Sequence, residues 1–313
     1  MFTGKKSGRL PKGTQFLPEE TNLNSNGYRG KAPSGKKAPQ EYRIFFLGGS
    51  TVVNGTPPIP EITEGLLRRH GMANAAVFNY GVVSSVSGME LVRIVVEIAD
   101  YQPDLIVMYN GANDVLQPLI FDPRPGFPFN FPAYENNPLL ESSLRTYPSL
   151  PLLLYGSGIM RVLAPDYFMS RFARLDESRR TVAWNTDPWR DEIAETYLAN
   201  LKKAGKCSRA LGSDFMAFLQ PTLYSKDVVS SDESRFDKKD ERTHVLYVHN
   251  AMMQRLNENS ETTGSDIIDL SNIFNRRPET LFTDAVHVRQ EGNELIAEVI
   301  AEKIIHRVMK KQP

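Results

Sequence analysis

The sequence predicts a three-layer α/β/α sandwich built on a parallel five-stranded sheet. Short apolar runs alternate along the chain with longer segments of helical periodicity. The run Leu-Ile-Val-Met at residues 105–108 is apolar on both faces, as expected of a central parallel strand that helices cover on both sides. With 313 residues and 41% hydrophobic content, the chain is long enough to bury a large core.

The predicted elements follow one another in regular alternation. Strands are expected at residues 42–47, 75–78, 104–109, 214–219 and 266–270, and helices at 61–70, 88–100, 189–211, 240–261 and 290–309. The last helix repeats Ile296, Ile300, Ile304 and Val308 at four-residue spacing, which predicts an apolar stripe that packs on the sheet.

Two segments stand outside this alternation. Residues 1–40 are rich in Lys, Arg, Gly and Pro, which predicts an extended basic arm ahead of a domain at 41–313; a membrane-surface or polyanion contact is the alternative to a solvated arm. Residues 115–186 form a connection rich in proline, phenylalanine and tyrosine. Connections this long are normally functional or disordered, and the aromatic content argues against disorder. We expect an insertion that walls a substrate pocket, with a structural insertion or a dimer contact as the alternative.

Composition excludes several classes of function. The formal net charge is +0, so no basic face for nucleic acid is expected. Cys207 is the one cysteine, which excludes an intrachain disulfide and a cysteine-rich metal site. No apolar run approaches the roughly 18 residues needed to span a bilayer. We expect a protein that is soluble as the sequence stands, either cytoplasmic or exported after loss of a targeting segment.

Ser50 and the pair Asp284 and His287 are the candidate catalytic residues. Ser50 comes just after the first predicted strand, and the pair precedes the last helix. A serine hydroxyl becomes nucleophilic when an imidazole accepts its proton and a carboxylate orients that imidazole. The other histidines lack a carboxylate at a comparable loop position, and none belongs to a grouping typical of zinc. We therefore expect no metal and no cofactor.

Two further strand ends carry residues suited to an oxyanion hole. Gly81 ends the stretch Asn-Tyr-Gly at 79–81, and Asn113 lies in Gly-Ala-Asn-Asp at 111–114. The carboxyl ends of parallel strands form the ligand crevice of such sheets. Backbone N–H groups and an asparagine amide donate to a developing oxyanion, so the hole is predicted from Ser50, Gly81 and Asn113. Ordinary turn residues are the alternative for each loop taken singly.

These four blocks, in this order, resemble those of the SGNH hydrolases, also called the GDSL esterase/lipase superfamily. The first block reads Gly48-Gly49-Ser50, where glycine replaces the aspartate of the commonest Gly-Asp-Ser form; the others are matched at Gly81, at 111–114 and at 284–287. The resemblance covers about residues 22 to 313. It implies the flavodoxin-like SGNH hydrolase fold and the roles given above to Ser50, Gly81, Asn113, Asp284 and His287.

The sequence thus predicts a serine-dependent carboxylic ester hydrolase that acts on a small-molecule or glycan ester, as a short-acyl esterase or carbohydrate O-deacetylase. Gly49, Asn110, Phe127 and Phe129 are the predicted substrate-binding residues. Three alternatives stay open: an acyltransferase that uses a sugar hydroxyl in place of water, a catalytically silent carbohydrate-binding protein on the same fold, and a structural partner of an envelope assembly. The oligomeric state stays open as well.

Overall fold

One parallel sheet of five strands forms the centre of the molecule. The computed structural model describes residues 23–128, 175–258 and 266–310. The strands are β1 (Tyr42–Gly48), β2 (Ala75–Gly81), β3 (Leu105–Asn110), β4 (Asp214–Leu219) and β5 (Ile267–Asp269). They lie in the order β2-β1-β3-β4-β5, and every neighbouring pair is parallel. The predicted fold class is therefore confirmed.

Helices cover both faces of this sheet. They are α1 (Ser50–Val53), α2 (Ile59–Arg69), α3 (Ser87–Arg93), α4 (Ala112–Ile120), α5 (Asp187–Ala210), α6 (Lys239–Glu258) and α7 (Gln290–Met309). On one face α5 packs against α3 and α6, and on the other α7 packs against α2. Side chains of β1 alternate between two buried clusters, with Phe45 and Leu47 in one and Ile44 and Phe46 in the other. Within the described residues, no helix is long and apolar enough to cross a membrane.

The strand order places a crevice between β1 and β3. The chain leaves β1 towards β2 on one side and later returns to β3 on the other, so the connections after β1 and β3 run to opposite faces of the sheet. Ligands of open α/β sheets bind outside the carboxyl ends of the strands at such a switch point. Ser50 follows β1 and Asn113 follows β3, which brings both to the same crevice.

The structure corrects two predicted boundaries. β2 runs three residues beyond the predicted strand because residues 79–81 stay in register with β1, with Gly81 opposite Gly48. The predicted insertion 115–186 begins inside α4, whose interior proline, Pro118, conceals its helical pattern. Residues 129–174 of that insertion lie outside the described residues.

The second half of the predicted basic arm belongs to the domain. The Tyr28 ring stacks on Tyr80 with 4.1 Å between ring centroids, and Tyr28 is almost fully buried. Arg29 donates from Nη1 to the carbonyl oxygen of Val53, 2.5 Å away at the end of α1. Residues 23–40 are thus not a free arm, whereas residues 1–22 lie outside the described residues.

Candidate active site

The candidate nucleophile starts a helix directly after the central strand. Ser50 is the first residue of α1 and is mostly buried, with 8% of its surface exposed. A Cβ atom on Gly48 would lie 2.2 Å from the carbonyl oxygen of Tyr109, so only glycine fits where β1 meets β3. This close packing fixes the turn that presents Ser50 at the crevice.

Ser50, His287 and Asp284 form a continuous hydrogen-bonded chain. Ser50 Oγ lies 2.6 Å from His287 Nε2, and His287 Nδ1 lies 2.7 Å from Asp284 Oδ2. The second carboxylate oxygen accepts the backbone N–H groups of Val286 and His287, each at 2.8 Å. Burial alone would raise the pKa of the Asp284 carboxyl, but the hydrogen bonds from His287 and the backbone lower it below its ordinary value. An ionised Asp284 favours a proton on Nδ1 and leaves Nε2 free to accept the Ser50 proton.

The Asn113 amide lies beside the nucleophile because residue 49 has no side chain. A Cβ on Gly49 would come 2.5 Å from Asn113 Nδ2, so the amide occupies the space that a side chain at position 49 would fill. Asn113 Nδ2 donates one hydrogen to the carbonyl oxygen of Ser85 at 2.9 Å. Since an amide nitrogen carries two hydrogens, the second is available to an oxyanion. Gly49 therefore makes room for Asn113.

Gly81 does not fit the donor role that the sequence predicts. It ends β2, and its N–H donates to Asn79 Oδ1 at 2.9 Å. Ser84, three residues further on, has a φ of 60°, which is unusual for a residue other than glycine. Within the described part of the chain, no acceptor takes the Ser84 N–H, and the carbonyl oxygen of the next residue, Ser85, lies 3.7 Å from the Cβ position of Gly49. Ser84 is thus the better candidate for the second backbone donor.

A buried polar network lies behind the two oxyanion loops. Asp114, next to Asn113, accepts the N–H and the hydroxyl of Ser87 at 3.0 and 2.5 Å, which ties the start of α4 to the start of α3. Arg93 donates to Ser85 Oγ at 2.7 Å and to the carbonyl oxygen of Tyr80. These contacts fix the loop between β2 and α3 against Asn113.

Two carboxyl groups of this network are buried with few donors. Burial raises the pKa of Glu90 to about 7; Arg93 lowers it and Asp114 raises it further. Burial also raises the pKa of Asp114 to about 6, against the hydrogen bonds from Ser87. Because neither site is solvated, the protonated form is the favoured one up to near-neutral pH.

The predicted substrate-binding residues have different outcomes. Asn110 is buried: its amide nitrogen donates to Glu90, and its oxygen accepts the Tyr197 hydroxyl at 2.8 Å. It therefore joins the end of β3 to α3 and α5. Phe127 is 36% exposed, with the Arg124 guanidinium 4.2 Å from its ring centroid. Phe129 lies outside the described residues.

The described residues hold no cluster of side chains suited to a metal ion. Across residues 23–128, 175–258 and 266–310, no three His, Cys, Asp or Glu side chains come together in a way that would hold a metal ion. His244, which is deeply buried, donates from Nε2 to the carbonyl oxygen of Val115, and burial lowers its pKa to about 4. It is a neutral packing residue under α4.

No protein-family model matches the sequence, and no curated protein matches it. Several solved structures are similar in fold. An acetylxylan esterase from Geobacillus stearothermophilus is 16% identical, with 84% of this chain and 94% of that chain covered and a TM-score of 0.45. A lipase/acylhydrolase from Enterococcus faecalis is 15% identical, over 85% and 96% of the two chains, with a TM-score of 0.45. A lipase from a goat rumen metagenome is 12% identical, over 84% and 97%, with a TM-score of 0.48.

The strand order β2-β1-β3-β4-β5, with every pair parallel, is the flavodoxin-like order of open α/β sheets. Identities this low concern the fold alone. The substrates that the names of these proteins give are properties of those proteins and are not assigned to this chain. The catalytic roles considered below depend on the geometry of this chain's own residues.

Sequence reasoning missed Ser84, Glu90 and Asp114. Asp114 was visible in the third block, but only its neighbour Asn113 received a role. Glu90 lies on a buried face of α3 that is polar, with Ser87 and Arg93, whereas the apolar Val92 is exposed, so apolar periodicity does not reveal it. The positive φ of Ser84 has no signature in its residue type, because glycine or asparagine is the usual choice there.

Proposed function

We propose that the protein is a serine-dependent carboxylic ester hydrolase. The hydrogen-bonded chain from Ser50 through His287 to Asp284 is the observation that carries this proposal. Its members come from the end of β1 and from the loop ahead of α7, which are far apart in sequence. Their distances match the nucleophile, base and orienting acid that acyl transfer requires.

The reaction follows from these contacts. Ser50 Oγ attacks the ester carbonyl while its proton passes to His287 Nε2. The tetrahedral intermediate then expels the alcohol, which takes the proton from Nε2, and the acyl group stays on Oγ as an ester. A water molecule, deprotonated by the same nitrogen, attacks that ester and releases the acid, which restores the Ser50 hydroxyl. Asp284 stays ionised throughout and stabilises the charged imidazole.

The oxyanion is held by the N–H groups of Ser50 and Ser84 and by the Asn113 amide. Asn113 supports this role because one of its hydrogens is fixed on Ser85, which leaves the other aimed by a rigid side chain. Preorganised donors of this kind stabilise the intermediate more than the substrate.

We further propose that the substrate is a short-acyl ester of a carbohydrate. Residues 121–128 follow the C-terminal end of α4, whose first turn carries Asn113, and contact α5, where Trp189 donates to the carbonyl oxygen of Pro123 at 2.7 Å. This segment presents the exposed Phe127 ring together with Arg124. An aromatic face beside a cation is suited to a sugar ring, whose apolar face stacks while its hydroxyls accept hydrogen bonds. The insertion would then select the alcohol without taking part in the chemistry.

The test is hydrolysis of p-nitrophenyl esters of increasing acyl length by the wild type and by Ser50→Ala. We expect the acetate ester to be the preferred substrate, and the variant to lose on the order of a thousandfold or more in kcat/KM while unfolding like the wild type. More than about a tenth of wild-type activity in the variant would assign the nucleophile to another residue. Product analysis with a sugar acceptor present separates hydrolysis from acyl transfer, because transfer yields the acylated sugar in place of free acid.

A further inference from the structure

A buried ion pair lies under the loop that carries the candidate base. Lys226 and Glu233 belong to the connection between β4 and α6, and both side chains are fully buried. Lys226 Nζ lies 2.7 Å from Glu233 Oε2. Removing two charges from water costs several kcal/mol for each ion and is tolerated only when further hydrogen bonds satisfy the groups. The groups that form hydrogen bonds with this ion pair therefore indicate which part of the chain the pair holds in place.

Most of its partners lie in one short segment, residues 279–282. Glu233 Oε1 accepts the N–H groups of Leu281 and Phe282, each at 2.9 Å. Lys226 Nζ donates to the carbonyl oxygen of Glu279 at 2.7 Å. The other carboxylate oxygen accepts the N–H of Ser230 at 2.9 Å. The pair thus binds three backbone groups of the segment that leads into Asp284.

That segment is the outgoing limb of the hairpin that carries His287. Thr283 donates its N–H to the carbonyl oxygen of His287 at 2.8 Å, and Arg289 donates to that of Leu281 at 2.7 Å. Phe282 and Val288 form a bridge between the two limbs. The position of residues 281–282 therefore determines the position of His287 on the returning limb.

Asp284 has no comparable anchor of its own. Its side chain is 38% exposed, and its contacts run to Val286 and His287 within the same hairpin. These local bonds fix the shape of the loop. Two contacts join the hairpin to the connection between β4 and α6: the Leu223 N–H donates to the carbonyl oxygen of Ala285 at 2.9 Å, and the Glu233 carboxylate holds the limb ahead of Asp284.

Glu233 is well suited to be a permanent anchor. Burial alone would raise its pKa, but the hydrogen bonds from Lys226, Ser230, Phe282 and Leu281 lower it to about 2. An ionised carboxylate accepts from all four donors at once, and charge-assisted hydrogen bonds are shorter and stronger than neutral ones. An apolar residue at position 233 would leave the N–H groups of the limb buried without partners.

We propose that Glu233, with Lys226 as its counter-ion, is a positioning residue that holds the Asp284–His287 hairpin so that His287 Nε2 meets Ser50 Oγ. This inference rests on the hydrolase function proposed above. It assigns the pair a role in the rate of acyl transfer, since a displacement of about 1 Å in a catalytic group costs on the order of 10²-fold.

The decisive variant is Glu233→Gln. The new amide keeps an oxygen for Leu281 and Phe282 but turns a nitrogen towards Ser230 N–H and the Lys226 ammonium, where donors then face donors. We expect kcat on p-nitrophenyl acetate to fall about 10²-fold with little change in KM, and labelling of Ser50 by a fluorophosphonate to slow by a similar factor. The double variant Glu233→Gln/Lys226→Met leaves no charge unpaired and should recover part of the lost kcat.

The control is Leu201→Ala, a cavity variant at a buried position of α5 with no hydrogen bond to the ion pair. It should lower the unfolding temperature without changing kcat per folded molecule. Wild-type kcat in folded Glu233→Gln, or a loss that matches only its unfolded fraction, would overturn the positioning role. Should Glu233→Gln fail to fold, Glu233→Asp keeps the charge but reaches less far; wild-type kcat in that folded variant would overturn the role equally.

A readout that does not depend on turnover separates this inference from the proposed function. The proton between His287 Nδ1 and Asp284 should give a far-downfield proton resonance that is absent from His287→Gln. We expect Glu233→Gln to shift or broaden it and Leu201→Ala to leave it in place. A wild type without esterase activity or labelling would refute the hydrolase function, whereas an unchanged resonance in Glu233→Gln would refute the positioning role.

Discussion

The two halves of the candidate site are anchored by buried carboxylates that behave in opposite ways. On the side of His287, Glu233 has a pKa lowered to about 2, because Lys226 and backbone N–H groups outweigh its burial. On the side of Ser50, burial raises the pKa of Glu90 to about 7 and that of Asp114 to about 6. The pKa of each carboxyl thus reflects the balance between its burial and the donors and charges that reach it.

The difference has a structural reason on each side. In the hairpin of His287, the N–H groups of Leu281 and Phe282 donate to the charged Glu233 carboxylate. On the other side, Glu90 accepts the neutral Asn110 amide, and Asp114 accepts the N–H and the hydroxyl of Ser87. The base is therefore held by an ion pair. The oxyanion donors are held by a network whose carboxyl groups gain or lose protons.

The largest effect is expected on the side of the base, from Asp284→Asn. The asparagine amide favours the wrong histidine tautomer, so kcat should fall by roughly 10⁴-fold with the fold intact. Steady-state kinetics on p-nitrophenyl acetate measures this. The matched control is Asp269→Asn, which alters a second His–Asp pair, His249 and Asp269 at 3.0 Å, away from Ser50. Equal losses in both variants would show a general effect of removing charge.

On the other side, Asn113→Ala should lower kcat by about 10²- to 10³-fold with little change in KM. The amide is proposed to meet the substrate oxygen only when it becomes negative, and one such donor is typically worth this much. Separate determination of kcat and KM gives the answer. A rise in KM alone would place Asn113 in ground-state binding and remove it from the oxyanion hole.

Gly49→Ala tests the position of the Asn113 amide with a smaller change. The φ of Gly49 is −86°, so alanine fits the backbone, but its Cβ would meet Asn113 Nδ2 at 2.5 Å. We expect the amide to move and kcat to fall, by less than the roughly 10²- to 10³-fold given for Asn113→Ala. The double variant Gly49→Ala/Asn113→Ala should be no worse than Asn113→Ala, because the methyl group then has nothing to displace. Additive losses would mean that residue 49 acts on something else.

The smallest effect concerns stability against pH. Glu90 and Asp114 have raised pKa values in the fold, so the stability due to their protonated forms is fully present below about pH 4 and is lost as pH rises through about 6 to 7. Urea unfolding should show the wild type losing up to roughly 3 kcal/mol against Glu90→Gln across that window. Glu233 has a lowered pKa, so its contribution is present above about pH 4.5 and is lost as pH falls towards 2. If the free energy of unfolding changed with pH in the same way in Glu90→Gln and in the wild type, the contrast between Glu90 and Glu233 would be contradicted.

The sequence predicts the strands and the candidate catalytic residues of this site better than it predicts the residues that hold them in place. Apolar runs and helical periodicity locate the strands, and the order of the motif blocks places Ser50, Asn113 and His287 at one edge of the sheet. The Gly81 N–H donates to Asn79 Oδ1 because β2 continues through residue 81, and a strand end cannot be located to within three residues from apolar character alone. Glu233 and Lys226 have no local signal, because their partners in residues 279–282 lie about fifty positions away and are backbone groups.

The most direct test of the central claim is labelling of the wild-type protein by a fluorophosphonate, followed by peptide mapping. Only a serine activated by a neighbouring base reacts readily with such a probe. We predict stoichiometric modification of Ser50, strong slowing in His287→Gln and none at this position in Ser50→Ala. A folded wild-type protein that stays unlabelled, or that is labelled at another residue, would contradict the account.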